Sequence, residues 1–196
     1  MPAPIAADAT AAAAAAAEPD APAAASPAAA AGAHDATAFQ ALIASLTATL
    51  AGRPLDAQLQ AELNRDHPPG SPTYEALAAA CRAGVADGRM CQHEAGGIRY
   101  GRVIKATPAT HGFSVDVVDM ADLAGPHHRH PHGEIDLVMP LVDGAGLQPG
   151  GQACFDGQPA GWKVYGPDTA HRPTVSGGRA LVLYLLPQGA IEFTRH

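Results

Sequence analysis

The stretch Gly125–Pro140, GPHHRHPHGEIDLVMP, carries four of the chain's ten histidines, at positions 127, 128, 130 and 132. A glutamate follows at once, then an apolar run. On an extended chain alternate residues share a face, so His128 and His130 point the same way, near enough for both rings to reach one ion. Glu134, four residues beyond His130, can add an oxygen. His171 in YGPDTAHRP is the best third imidazole, because it follows a Gly-Pro turn ahead of another strand. Imidazole with carboxylate suits a divalent transition metal, and ligand type alone admits Zn, Fe, Mn, Ni and Cu. A histidine cluster can also be solvated surface. The His-x-His spacing, the glutamate and the distant third histidine together favour a metal site. His132 is in phase with His130 and His127 is next door. Either can replace His128, and by default both are surface or supporting groups.

The segments around this stretch are short and rich in β-formers. Ile98–Lys105, Phe113–Met120, Glu134–Val142, Gln152–Phe155, Trp162–Tyr165, Pro173–Val175, Ala180–Leu186 and Ile191–Thr194 alternate with turn pairs such as Asp143-Gly144, Asp156-Gly157 and Gly177-Gly178. Many short strands at close spacing predict an all-β sandwich or barrel over residues 96–196. Before it, residues 35–95 read as helical. Phe39, Leu42, Ile43, Leu46 and Leu50 recur at helical spacing, which predicts a helix over Ala36–Leu50. Leu55, Leu59 and Leu63 mark a second helix, stopped by His67-Pro68-Pro69-Gly70. A third opens on Ser71 as cap with Pro72 in its first turn.

Residues 1–34 are mostly alanine broken by prolines, with Ile5 the one large apolar side chain, and read as a disordered leader. No Lys or Arg precedes Arg53, which fits neither a secretory signal nor a transit peptide, and no apolar run is long enough to span a bilayer. A cytoplasmic protein is expected. With 12 Lys and Arg against 19 Asp and Glu the net charge is −7, which argues against nucleic acid and for a small-molecule partner. Cys81, Cys91 and Cys154 form no Cys-x-x-Cys and are odd in number, as expected of free thiols. Cys91 with His93 and Glu94 makes only a weak second metal pattern and is discounted.

His128-Arg129-His130-Pro131-His132-Gly133-Glu134 resembles the first cupin motif, His-x-His with three residues before a glutamate. GPDTAHRP resembles the second, although Gly166, Asp168 and His171 fill its slots imperfectly and Val175 stands where that motif has asparagine. The resemblance implies a double-sheet jelly-roll barrel in which three histidines and a glutamate face inward around a metal. HPHGEIDLVMP, FDGQPAGWKVYGP and AHRPTVSGGRALVLYLLPQGAIEF, with the helical prefix, are further similar to the 4-hydroxylaminobenzoate lyases of bacterial nitroaromatic (4-nitrobenzoate) degradation, from about Ala36 to Phe193.

That resemblance implies conversion of 4-hydroxylaminobenzoate and water to 3,4-dihydroxybenzoate (protocatechuate) and ammonia. The reaction is redox-neutral, consistent with the lack of a GxGxxG or P-loop: no NAD, flavin or nucleotide is expected, only a divalent metal such as Fe, Mn or Zn. The expected ligands are His128, His130, Glu134 and His171. Glu134 either ligates or shuttles a proton, and Asp136, on the same strand phase, is a second acid or base. The substrate carboxylate needs a cation: Arg99, Arg102, Arg129 and Arg172 are the candidates, and Arg102 leads because it sits inside an apolar strand. Trp162 and Tyr165 are candidate walls for an aromatic ring. A metal-dependent cupin dioxygenase and a non-enzymatic ligand-binding cupin are the alternatives, and a homodimer or larger homo-oligomer is expected.

Overall fold

A computed structural model describes residues 27–194 of the chain. Most of the expected leader, residues 1–26, lies outside the described residues. Three helices come first: α1 (Pro27–Leu50), α2 (Ala57–Asp66) and α3 (Pro72–Ala86). The first starts earlier than Ala36. Alanine propagates helix well, and a proline is tolerated in a first turn, so α1 takes in the end of the Ala-rich stretch. The third begins at its expected cap, whereas α2 begins at Ala57 and leaves out Leu55, which the apolar spacing includes. Asp56 caps α2 by accepting from Leu59 N at 2.9 Å, and Ser71 caps α3 by accepting from Tyr74 N at 3.3 Å. Among the described residues no helix is long and apolar enough to cross a membrane.

Ten strands follow: β1 (His93–Ala95), β2 (Ile98–Ile104), β3 (Phe113–Ala124), β4 (His128–His130), β5 (Glu134–Leu141), β6 (Cys154–Phe155), β7 (Gly161–Tyr165), β8 (Thr169–His171), β9 (Thr174–Pro187) and β10 (Glu192–Phe193). All pair antiparallel. One sheet runs β1-β2-β3-β9-β5-β7, with β6 also on β9, and a small sheet runs β10-β4-β8. This is the expected double-sheet jelly roll with an N-terminal helical segment. Its hydrogen bonding does not run continuously around, so the two sheets do not close into a barrel. The strands expected over Pro173–Val175 and Ala180–Leu186 are one strand, β9, bent at Gly177 (φ 76°) and Gly178 (φ 126°). Asp122 Oδ1 holds the bend by accepting from both glycine N–H groups, at 2.7 and 3.0 Å.

The large sheet has two buried faces with different partners. Val115, Val117, Ile135, Leu137, Leu183 and Leu185 point outward and pack with Ile43, Leu46, Leu59 and Leu77 of the helices. Val138, Phe155, Val182, Tyr184 and Leu186 point inward and form a second apolar cluster. The register extends this inner face to titratable groups, since Arg102, Asp116, Tyr184, Asp136 and Lys163 stand opposite one another across β2, β3, β9, β5 and β7. The α2 helix also satisfies the edge of β7. Asn64 Nδ2 donates to Trp162 O (2.7 Å), Asn64 Oδ1 accepts from Trp162 N (2.9 Å), and Gln60 Oε1 accepts from Val164 N (2.9 Å). Side-chain amides thus stand in for a further strand, leaving no bare edge there. Cys81 and Cys91 are free and buried, and Cys154 is free and half-buried.

Candidate metal centre

The turn HPHG carries the chain from the small sheet to the large one. Gly133 N donates to His130 O at 3.2 Å, and Gly133 has φ 84°. A Cβ at Gly133 would lie 2.6 Å from Tyr165 O and 2.8 Å from Leu55 Cδ2, so only glycine fits there. Because of this crossing, His130 on β4 and Glu134 on β5 face each other from opposite sheets. Beside them β4 pairs with β8 so that His128 stands directly opposite His171. Paired residues of antiparallel strands project on one face, which brings the third imidazole to the cluster.

Four donor groups converge: one ligand atom each from His128, His130, Glu134 and His171 lie within 4.8 Å of one another. His171 Nε2 is 3.1 Å from both His128 Nε2 and His130 Nε2. His130 Nε2 is 3.2 Å from Glu134 Oε2, and His171 Nε2 is 3.6 Å from Glu134 Oε1. Ligands about 2.1 Å from one ion stand roughly 3.0 Å apart on an octahedron and 3.4 Å apart on a tetrahedron. These four separations lie near the edges of such a polyhedron.

The protonation states agree with that reading. His128 Nδ1 lies 3.0 Å from Pro126 O and His171 Nδ1 lies 2.6 Å from Asp156 Oδ2. An oxygen that can only accept requires the proton on Nδ1, so in a neutral ring Nε2 keeps its lone pair for the cluster. Burial, and after it neighbouring imidazoles, lower His128 to about 4 and His130 to about 3. Burial pushes the Glu134 carboxyl well above its usual range, with Asp136 adding to the effect, and burial does the same to Asp136. Glu134 and Asp136 are fully buried, and their four oxygens have no hydrogen-bond donor among the described residues. Buried carboxylates without partners are costly, and a divalent cation is the group that three neutral imidazoles and a carboxylate would satisfy.

Asp156 carried no signal in the sequence beyond the Asp-Gly turn it opens. Its φ is 45°, and its carboxylate accepts from His171 Nδ1 (2.6 Å), Tyr165 OH (2.5 Å) and Thr174 N (2.7 Å). Burial raises its pKa, but these bonds outweigh that and leave it below the usual carboxylate range. Asp156 therefore orients the His171 ring. Substituting such a partner of a metal-bound histidine typically weakens the metal by about 10–100-fold. Asp156→Asn is expected to fall in that range when metal affinity is measured by competition with a chromophoric chelator; unchanged affinity would mean that the bond to His171 does not orient it.

The remaining expected residues divide by face. Asp136 is one inward position beyond Glu134, buried, not solvated. Tyr165 is inward too, its ring centroid 4.3 Å from that of His171 and 6.4 Å from that of His130. Trp162 is not with them. It is fully buried on the outer face against the helices, its Nε1 donating to His67 O at 2.9 Å, so it walls no space beside the cluster. Tyr165 lies three positions further along, and on one strand that odd offset already forces opposite faces. Among the arginines, Arg99 stands with Asp119 on the outer face, Arg129 pairs Asp168 and Glu192, and Arg172 donates to Gly125 O. Arg102 alone of the four is in register with Asp136. Its Nε and Nη2 pair Asp116 bidentately at 2.8 and 3.1 Å, and Nη2 also reaches Gly189 O at 3.3 Å. His132 is exposed, and half-buried His127 bonds Thr194, so neither joins the four donors.

Residues 41–193 match the family described as PnbB: 4-hydroxylaminobenzoate lyase. A 4-hydroxylaminobenzoate lyase of Nocardioides sp. (strain LMS-CY) is 36% identical over 74% of this chain and 86% of its own length. One of Pseudomonas putida is 31% identical over 70% of this chain and 84% of its own. Among solved structures, a chain from crystal structures of DMSP lyases superposes with a TM-score of 0.48 at 14% identity, covering 84% of this chain and 100% of that one. An RmlC-like cupin protein of Ralstonia eutropha JMP134 superposes with a TM-score of 0.37 at 14% identity, covering 52% and 62%.

Proposed function

The chain belongs to the 4-hydroxylaminobenzoate lyase family, and from that premise we propose that it converts 4-hydroxylaminobenzoate and water to 3,4-dihydroxybenzoate and ammonia at the His128, His130, Glu134 and His171 cluster. The observation that carries this reading is the convergence of those four donors within 4.8 Å in a chain whose relatives bear that name. Atoms balance with no external oxidant or reductant, because the N–O bond supplies the oxidation that the ring carbon undergoes.

A divalent ion held by His128, His130, Glu134 and His171 would supply Lewis acidity and help generate a nucleophile at neutral pH. The residues' own tasks are binding and proton transfer. The hydroxylamino oxygen departs as water and needs a proton; the water added at the adjacent ring carbon loses one; the resulting imine then hydrolyses to ammonia. Asp136, buried next to Glu134 with both oxygens lacking donors among the described residues, is the group for that proton transfer. Tyr165 and Asp156 hold His171 in place.

Arg102 takes the substrate carboxylate. Its side chain is 38% exposed, and Nη1 donates to no described residue, so it can bind a second carboxylate without giving up Asp116. A charge-assisted bond contributes about 1.5–3 kcal/mol, roughly 10–100-fold. Arg102→Met is expected to raise KM for 4-hydroxylaminobenzoate by about that factor, and Arg102→Lys by less. Phenylhydroxylamine, which lacks the carboxylate, is expected to react equally in all three; equal losses on both compounds would remove Arg102 from this role.

The test of the function is anaerobic incubation of the metal-loaded protein with 4-hydroxylaminobenzoate, following ammonia and the catechol product together. Stoichiometric release of both without oxygen is expected. No ammonia would sink the lyase reading, and a requirement for oxygen would favour a dioxygenase.

A further inference from the structure

The last described strand runs beside the cluster, at the edge of the small sheet. After β9 the chain turns, with Gly189 N donating to Leu186 O (3.0 Å) and Arg102 Nη2 donating to Gly189 O (3.3 Å). Ile191 packs into the inner apolar cluster, and β10 then pairs with β4, Glu192 opposite Arg129 and Phe193 opposite His128. An ion pair from Arg129 Nε to Glu192 Oε2 (3.1 Å) and a bond from Thr194 N to His127 O (3.1 Å) fix this register.

That register sets the face of Phe193. Directly opposed residues of an antiparallel pair project on the same side, so Phe193 shares the inward face of His128. The two rings meet edge-on at 5.6 Å and 76°. His128 is buried, yet Phe193 is 51% exposed, and Val142 is the other large exposed apolar side chain among the described residues. An aromatic face is therefore left open beside a cluster of charged and polar groups. Arg102 lies on the inner face of the facing sheet, three strands from Asp136 in the order β2-β3-β9-β5, or about 14 Å of backbone. A para-substituted ring together with the extended arginine side chain can bridge that gap.

We infer that Phe193 is the ring-contact residue of this site, stacking on the aromatic ring of a para-substituted benzoate whose nitrogen meets the histidine cluster and whose carboxylate meets Arg102. The inference rests on the reading of the chain as acting on 4-hydroxylaminobenzoate. It makes the C-terminal strand a specificity-determining element of the site: an aliphatic acid gains no stacking there, whereas a benzoate does.

Calorimetric titration of the full-length, metal-loaded protein with 4-aminobenzoate tests this, since that compound keeps the ring and carboxylate but has no N–O bond to break. Aromatic pairing is worth about three- to tenfold in affinity. Phe193→Ala is expected to weaken 4-aminobenzoate binding by about that factor and to raise KM for 4-hydroxylaminobenzoate in parallel, with kcat and metal content little changed. Phe193→Tyr restores binding to near the wild-type value, and Phe193→Leu, which keeps the bulk but not the π face, falls between. Wild-type affinity in both the Ala and Leu variants would overturn the inference, as would wild-type protein that does not bind 4-aminobenzoate. If the Ala variant does not fold or loses metal, the Leu and Tyr pair decides it. Wild-type protein that binds 4-aminobenzoate through Phe193 yet releases no ammonia would sink the lyase reading and leave the ring contact standing.

Discussion

His130→Ala is expected to lower turnover of 4-hydroxylaminobenzoate by about a thousandfold or more and to leave the purified protein depleted of metal. The size follows from what the ligand set supports. Lewis-acid stabilisation of developing charge is worth several kcal/mol, and each 1.36 kcal/mol is about a decade in rate. His130 is fully buried, with Nε2 3.1 Å from His171 Nε2 and 3.2 Å from Glu134 Oε2, so no surface residue can take its position. Truncation also opens a cavity, which costs stability, and His130→Gln serves as the companion that keeps most of the volume. Far-ultraviolet circular dichroism close to wild type in the Gln variant, with activity and bound metal both lost, is the expected pattern. Wild-type rates in either variant would mean that the reaction takes place elsewhere.

Removal of the metal by a chelator is expected to lower Tm by about 8–16 °C. A ligand present at about a thousand times its Kd stabilises the native state by about 4 kcal/mol, and a domain of this size shifts by roughly 2–4 °C per kcal/mol. The physical cause is the group of buried donors. Without a cation, Glu134 keeps two buried oxygens with no donor among the described residues, beside three imidazole Nε2 atoms crowded together, His171 Nε2 lying 3.1 Å from both of the others. Differential scanning calorimetry before and after chelation, with metal content measured in each sample, checks this. The His130→Gln variant is the control and is expected to show little chelator-dependent shift. An unchanged Tm after demonstrated metal removal from the wild type would show that the cluster is stable without an ion and that the donors hold none of consequence.

The helices were legible because their caps and apolar spacing are local. Ser71 and the Phe39, Ile43, Leu46, Leu50 series are read within a single turn or face, whereas the Asp56 cap emerged only in the structure. The main strands were legible for the same reason. Less so were β1 and β8, three residues each, which are too short for a period to register and exist through pairing with β2 and β4, while β4 was legible only as the shared face of His128 and His130. The bend in β9 was legible as Gly177-Gly178, but it reads as a break between two strands because the clamp that keeps the ladder going, Asp122, comes from another strand.

The sequence by itself determined the donor set of the site. Two histidines of one strand phase, a glutamate four residues on and a histidine from a second segment are a statement about residue chemistry and a period of two, both properties of the local chain. Only the tertiary structure decided which neighbours serve that set. It turned Trp162 away toward the helices, put Arg102 alone of the four arginines in register with Asp136, set Asp156 behind His171 and paired Phe193 with His128. The reason is that alternation along a strand tells which residues share a face, but not which face the helices cover or which strand lies opposite. Those follow from register and packing between segments far apart in the chain.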